Sequence, residues 1–188
     1  MIPLLEATAL KLHERYTKIL NNYYPAHNGT GFTERNLSHN FVASLEEVLG
    51  FGHLSWFEAP IDIKKKKHLD AVVFDIHRKI SFLIESKRFS DVTNKIKSVK
   101  NDIVRMQSPA HIELLEKGLI NINIENRYAI VLVDVWTETK SKQTLLNTWP
   151  ECIGNDQIMW SKSVSFENLT TKGKWKYNYN ILMAAIEI

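Results

Sequence analysis

Cysteine is almost missing from this chain: Cys152 stands alone. A single thiol excludes an internal disulfide and a cysteine-rich zinc site, and it suits a reducing cytoplasm. The seven histidines are scattered without metal-ligand spacing. Apolar runs are short, and none approaches the roughly 20 residues that a bilayer-spanning helix needs. The start, Met1-Ile2-Pro3-Leu4-Leu5, lacks a basic region and soon meets Glu6. No secretory signal is therefore expected, and the expected location is cytoplasmic. Also missing are a phosphate-cradling glycine loop, a hydrolase nucleophile motif, an internal repeat and a low-complexity tract. What remains is 188 residues of ordinary apolar content, expected to form one domain with a sizeable core.

Against this background one stretch stands out. His68-Leu69-Asp70-Ala71-Val72-Val73-Phe74-Asp75 and Lys79-Ile80-Ser81-Phe82-Leu83-Ile84-Glu85-Ser86-Lys87-Arg88 read as two apolar strands joined by a short polar turn. A hairpin centred on His77-Arg78 sets Ile76 against Lys79 and Asp70 against Glu85. Directly opposed residues share a face, with Cβ atoms about 5 Å apart. By alternation Lys87 joins that face and Asp75 leaves it. Two carboxylates and an amine are thus expected to converge at a strand end.

Carboxylates that close repel each other, and a divalent cation removes the repulsion. Mg²⁺ takes oxygen ligands, keeps several waters and typically uses one or two carboxylates plus substrate phosphate. A lysine beside it orients or helps deprotonate the attacking water, or neutralises charge developing on the phosphate. The contrary reading is an acid-acid-lysine string arising by chance on a solvated strand face. Val72, Phe74, Phe82, Leu83 and Ile84 argue against it, because buried strands that keep Glu and Lys must offset their desolvation.

Asp70 followed by Glu85-Ser86-Lys87 on the next apolar strand resembles the PD-(D/E)XK nuclease superfamily. The resemblance covers about residues 33–135, with apolar strands on both sides and a helix before and after; Leu69 stands where the motif has proline. It implies an α/β fold with a central mixed β-sheet flanked by helices, a restriction endonuclease-like core. It implies Asp70 and Glu85 as metal ligands, the Ser86 carbonyl as a further ligand and Lys87 as the catalytic lysine. It also implies Mg²⁺ or Mn²⁺ as cofactor, DNA as substrate in a restriction, defence or repair setting, and a possible homodimer cutting both strands. Some members present another acid from the helix before the sheet, and Glu34 fits that role by position. As a plain helix residue, Glu34 would complement the dipole of the helix that Thr33 caps. The alternative function is a nuclease-fold protein that grips nucleic acid or a partner without cutting; a further rival is an unrelated interaction domain with solvated charges.

The formal charge of +3 is modest, but its distribution is uneven. From Asp62 to Lys100 there are eleven Lys and Arg against five Asp and Glu, so the rest of the chain is net negative. Lys64-Lys65-Lys66-Lys67 immediately precedes the Asp70 strand. Alone it reads as a solvated turn; beside a metal site, it and Arg88 become candidates for holding a polyanionic backbone.

Elsewhere, Leu5, Ala9, Leu12, Tyr16, Ile19 and Leu20 repeat at helical spacing, with Leu10 off the stripe. Residues 1–30 read as an N-terminal helical extension. A second helix runs from Thr33 to Gly50, with His39 and Asn40 on it. A strand is expected over Leu54–Ile63, where Glu58 is an auxiliary ligand or an ordinary exposed residue. Ser90-Asp91 caps a basic amphipathic helix through Ile96, Val99, Ile103, Val104 and Met106. Arg127–Trp136 is a strong strand with Asp134 near its end. Residues 137–188 read as a C-terminal loop and strand region. Within it 137–174 is the least legible segment, with Trp149-Pro150, Gly154 and Gly173 marking loops, open to a role in substrate specificity or in peripheral packing. Trp175–Tyr179 alternates aromatic and polar residues as a half-buried strand or a base-stacking surface.

Overall fold

Strands β2 (Lys67–Asp75) and β3 (Ile80–Arg88) form the expected hairpin. Ala71 pairs with Ile84, Val73 with Phe82 and Asp75 with Ile80, the register predicted by a turn at His77-Arg78. Asp75 holds that turn closed. Its carboxylate accepts the Arg78 N–H at 3.0 Å and the Arg78 guanidinium at 2.6 Å, an Asx-type closure that leaves little room for slippage. The computed structural model describes residues 1–22, 33–62, 66–137, 139–154, 157–166 and 178–188.

The hairpin lies inside a six-stranded mixed sheet of order β1-β2-β3-β4-β6-β5. β1 (His53–Asp62) pairs antiparallel with β2 at one edge. β4 (Asn126–Trp136) runs parallel to β3. β6 (Tyr179–Glu187) is antiparallel to β4, and β5 (Ile158–Phe166) is antiparallel to β6 at the other edge. A parallel pair needs a long crossover. Here it is supplied by helices α3 (Val92–Met106) and α4 (Pro109–Leu119) between β3 and β4.

Among the described residues five helices flank the sheet, so the fold is α/β with a mixed central sheet. On one face α1 (Ile2–Asn22) and α2 (Glu34–Leu49) bury Leu5, Leu12, Tyr16, Leu37, Phe41 and Leu45 against Val73, Phe82, Ile84, Ile130 and Leu132. Helix α1 therefore shares the core of the sheet. Leu10, off the apolar stripe, is 59% exposed. On the other face α3, α4 and α5 (Lys140–Thr148) bring Val99, Ile103, Met106, Leu115 and Leu145 onto Val72, Phe74, Leu83, Val131 and Val133. Covered on both faces, the central strands read as continuous apolar runs. No described helix is long and apolar enough to cross a membrane.

Several elements go beyond the sequence reading. Residues 137–174, the segment least legible in the sequence, hold α5, a 3-10 turn at Glu151–Ile153 and strand β5. In β5 the pattern Trp160-Ser161-Lys162-Ser163-Val164-Ser165-Phe166 alternates as an edge strand should, with the three serines outward. Helix α4 follows Ser108-Pro109, a cap position followed by the residue best suited to a first helical turn. The C-terminal strand is β6, the apolar stretch from Tyr179; residues 167–177, which hold most of the aromatic alternation at 175–179, lie outside the described residues.

Candidate active site

Helix α2 starts where Thr33 caps it, its hydroxyl accepting the Asn36 N–H at 3.3 Å. This sets Glu34 in the first turn and Ser38 one turn later, over the ends of β2 and β3. The β2–β3 ladder ends at the pair Ala71 with Ile84. One step further, the Asp70 side chain takes over the role of a backbone carbonyl: its Oδ2 accepts the Ser86 N–H at 2.7 Å. Ser38 Oγ donates to the same oxygen at 3.3 Å and lies 2.7 Å from Ser86 Oγ. Among the described residues both donors meet Oδ2, leaving Oδ1 for another partner.

The alternation of β2 slips at this point. Leu69 packs with the α3-side cluster, whereas Ala71 and Val73 pack with the α2 side. Asp70 and Glu85 therefore do not share one face as the simple register predicts. Asp70 reaches toward α2, and Glu85 with Lys87 turns to α3. Around the strand end the Asp70 charge acts on both Glu85 and Lys87.

On the α3 side the charges form a closed ring. Lys87 Nζ lies 3.2 Å from Glu85 Oε2 and 2.9 Å from Asp102 Oδ2. Arg105 lies 3.0 Å from Asp102 Oδ1 and contacts Glu85 Oε1 through the same guanidinium nitrogen. Glu85 and Asp102 are buried, at 3% and 6% exposure. Burial pushes the Glu85 carboxyl up to about 7; Asp102 and Asp70 add to the rise, while Lys87 and Arg105 oppose it. Asp70 is raised too, by burial first and Glu34 last, against the Ser86 N–H, Lys87 and Ser38. Burial works against the Lys87 charge, yet Glu85 and Asp102 outweigh it and hold its pKa well above the ordinary lysine value. Lys87 is thus a permanent cation at neutral pH, suited to orient water or stabilise negative charge, and unsuited to act as a base.

Glu34 is close by, but its oxygen is engaged. Oε1 accepts the Arg88 N–H at 2.9 Å and the Lys95 ammonium at 2.9 Å. Burial would raise this carboxyl, and the Arg88 N–H and Lys95 overcome it, keeping Glu34 ionised. Glu58 stands across from Asp70 between the pairs Phe57–Ala71 and Ala59–Leu69. Its φ of 51° breaks the ladder there, and its carboxylate pairs with Arg35 at 3.1 Å. His39 stacks on Phe57 with centroids 4.0 Å apart, and Asn40 bonds the Asn36 carbonyl within its own helix. Arg35, Ser38, His39, Phe57, Glu58 and Asp70 line a cavity of about 90 Å³. That is room for about three waters beside the Asp70 carboxylate.

Of the basic run, Lys66 and Lys67 are exposed at the start of β2, while Lys64 and Lys65 lie outside the described residues. Arg88 ends β3, and its charge acts on the buried Asp134 beside it in β4. Asp134 is 1% exposed and accepts the Tyr179 hydroxyl at 3.2 Å. Asp102 and Arg105 were not singled out in the sequence. A signal existed: Asp102 falls on the stripe of Val99, Ile103 and Met106, and an acid on a buried helix face needs a partner.

The donors here are carboxylate and carbonyl oxygens. Among the described residues no group of three or more His, Cys, Asp or Glu is placed to hold a metal ion. Two acids raised by desolvation, one with an oxygen left over, fit a hard cation that keeps its waters, the coordination habit of Mg²⁺. Comparison with protein-family models, with curated proteins and with solved structures gave no match.

Proposed function

We propose that this protein is a divalent-metal-dependent nuclease of the PD-(D/E)XK type with a restriction endonuclease-like core, hydrolysing phosphodiester bonds in DNA. The observation that carries this reading is the placement of Asp70, Glu85 and Lys87 at the shared end of β2 and β3, with Asp70 held by the Ser86 N–H at 2.7 Å and Lys87 3.2 Å from Glu85. The mixed sheet, with α2 before the hairpin and α3 after it, is the context the resemblance implies.

Asp70, Glu85 and the Ser86 carbonyl are the residues that would hold Mg²⁺ or Mn²⁺. When bound, the cation supplies Lewis acidity and a water of lowered pKa. Ser38 and the Ser86 N–H keep Asp70 in place. Lys87, charged throughout, orients the attacking water and stabilises negative charge on the phosphate. Glu34 holds Lys95 and the Arg88 backbone in position. Lys66, Lys67 and Arg88 contribute the positive field along which a DNA backbone lies.

The test is incubation with supercoiled, linear and single-stranded DNA in Mg²⁺, Mn²⁺ or EDTA, beside Glu85→Ala. Cutting that requires metal and disappears in the variant is the expected result. Equal cutting by wild type and variant overturns the reading. Cleavage of both strands at one site, at a rate rising with the square of protein concentration, would support a homodimer.

A further inference from the structure

Arg105 makes unusual use of its guanidinium. Carboxylate–arginine pairs in partly buried sites commonly engage two nitrogens in a fork. Here one nitrogen serves both Glu85 Oε1 and Asp102 Oδ1. Arg105 Nε is buried and has no hydrogen-bond partner among the described residues. The contact to Glu85 is thus a single-nitrogen tie, and Asp102, one turn earlier on α3, provides a second anchor. Lys87 spans the same two acids from the other side. Glu85 therefore has both oxygens covered by protein cations.

We propose that Arg105 is an exchangeable counter-ion for Glu85: it neutralises that carboxylate before metal arrives, competes with the divalent cation for it, and stays anchored on Asp102 after release. The inference rests on the nuclease reading above. Its physical basis is charge balance. The ring of Glu85, Lys87, Asp102 and Arg105 is neutral as a unit, and a lone buried carboxylate would be costly. Arg105 balances the Glu85 charge and makes cation entry an exchange of partners. Asp102 prevents the displaced guanidinium from being left unpaired.

Mn²⁺ binding to the full chain, followed by titration calorimetry and by the paramagnetic signal of free Mn²⁺, tests this without nucleic acid. Arg105→Gln should bind Mn²⁺ about tenfold more tightly than wild type, the effect of one charged contact removed from competition. Arg105→Lys, which keeps the charge, should stay near wild type. Glu85→Gln should lose the site in either background. If wild type binds Mn²⁺ through Glu85 and Arg105→Gln leaves the affinity unchanged or weaker, the inference falls while the nuclease reading stands. If neither wild type nor Arg105→Gln binds, both fall. Should Arg105→Gln fail to fold, the Arg105 Nε–H resonance of wild type serves instead. It should shift on Mg²⁺ addition and stay still in Glu85→Gln; no shift in wild type overturns the proposal.

Discussion

Ser86 donates its backbone N–H to Asp70 Oδ2 at 2.7 Å, so a side chain of β2 completes the ladder of β3 just beyond their last paired residues. This contact ties the position of one proposed ligand to the backbone of the segment that carries the others. Ser38 from α2 reinforces it from above at 3.3 Å.

Ser38→Ala should loosen that tie without breaking the fold. It removes a hydroxyl that contacts Asp70 and Ser86 and bonds the Glu34 carbonyl. A loss of about 1 kcal/mol in urea unfolding is expected, with metal-dependent cleavage slowed on the order of tenfold. Cleavage at the wild-type rate would mean that Asp70 needs no such support.

Lys87→Met should abolish catalysis selectively. The side chain supplies the cation beside Glu85, so cleavage should drop on the order of a hundredfold or more, while the unpaired acids should lower stability by about 3 kcal/mol without unfolding the chain. DNA binding in Ca²⁺ should persist, and a gel-shift assay reads it. Equal loss of binding and cleavage would assign Lys87 to substrate capture.

Stability should fall as pH rises through the weakly acidic range in EDTA. Glu85 and Asp134 are both pushed up to about 7, mainly by burial, from ordinary values of 4.5 and 3.8. Between those limits the folded protein holds protons that the unfolded chain has released. The unfolding free energy therefore declines with pH across that window and levels off above it. Asp134→Asn keeps an acceptor for the Tyr179 hydroxyl and should remove about half of the slope, seen by thermal unfolding at stepped pH. A wild-type melting temperature that stays flat from pH 5 to 7 would contradict this assignment.

Thr33→Ala tests the helix that carries Glu34 and Ser38. Loss of the cap to the Asn36 N–H should cost about 1 kcal/mol. Thr33→Asn should retain most of the stability, because Asn caps as well as Thr does. Chemical denaturation measures both.

Much of this was legible in the chain. The hairpin register followed from a short polar turn between two apolar runs, and Asp75 with Arg78 shows why it does not slip. The caps at Thr33 and Asp91 and the exposure of Leu10 followed from side-chain chemistry and helical period. Helix α5 and strand β5 were hidden for a physical reason. Lys140–Thr148 is polar with little apolar stripe, and β5 is an edge strand half covered with serines, so neither carries the strong pattern of a buried element.

The amino-acid sequence by itself determined the hairpin register that brings Asp70, Glu85 and Lys87 to one end of β2 and β3, because turn length is a local property of the backbone. Tertiary structure decided how they are held. The slip at Asp70 turns its carboxylate toward Ser38 and the Ser86 N–H, while Asp102 and Arg105 arrive from a helix packed on the opposite face. Those partners are distant along the chain and are selected by desolvation: a buried carboxylate is tolerated where the fold brings a cation to it. No local pattern specifies which cation that will be.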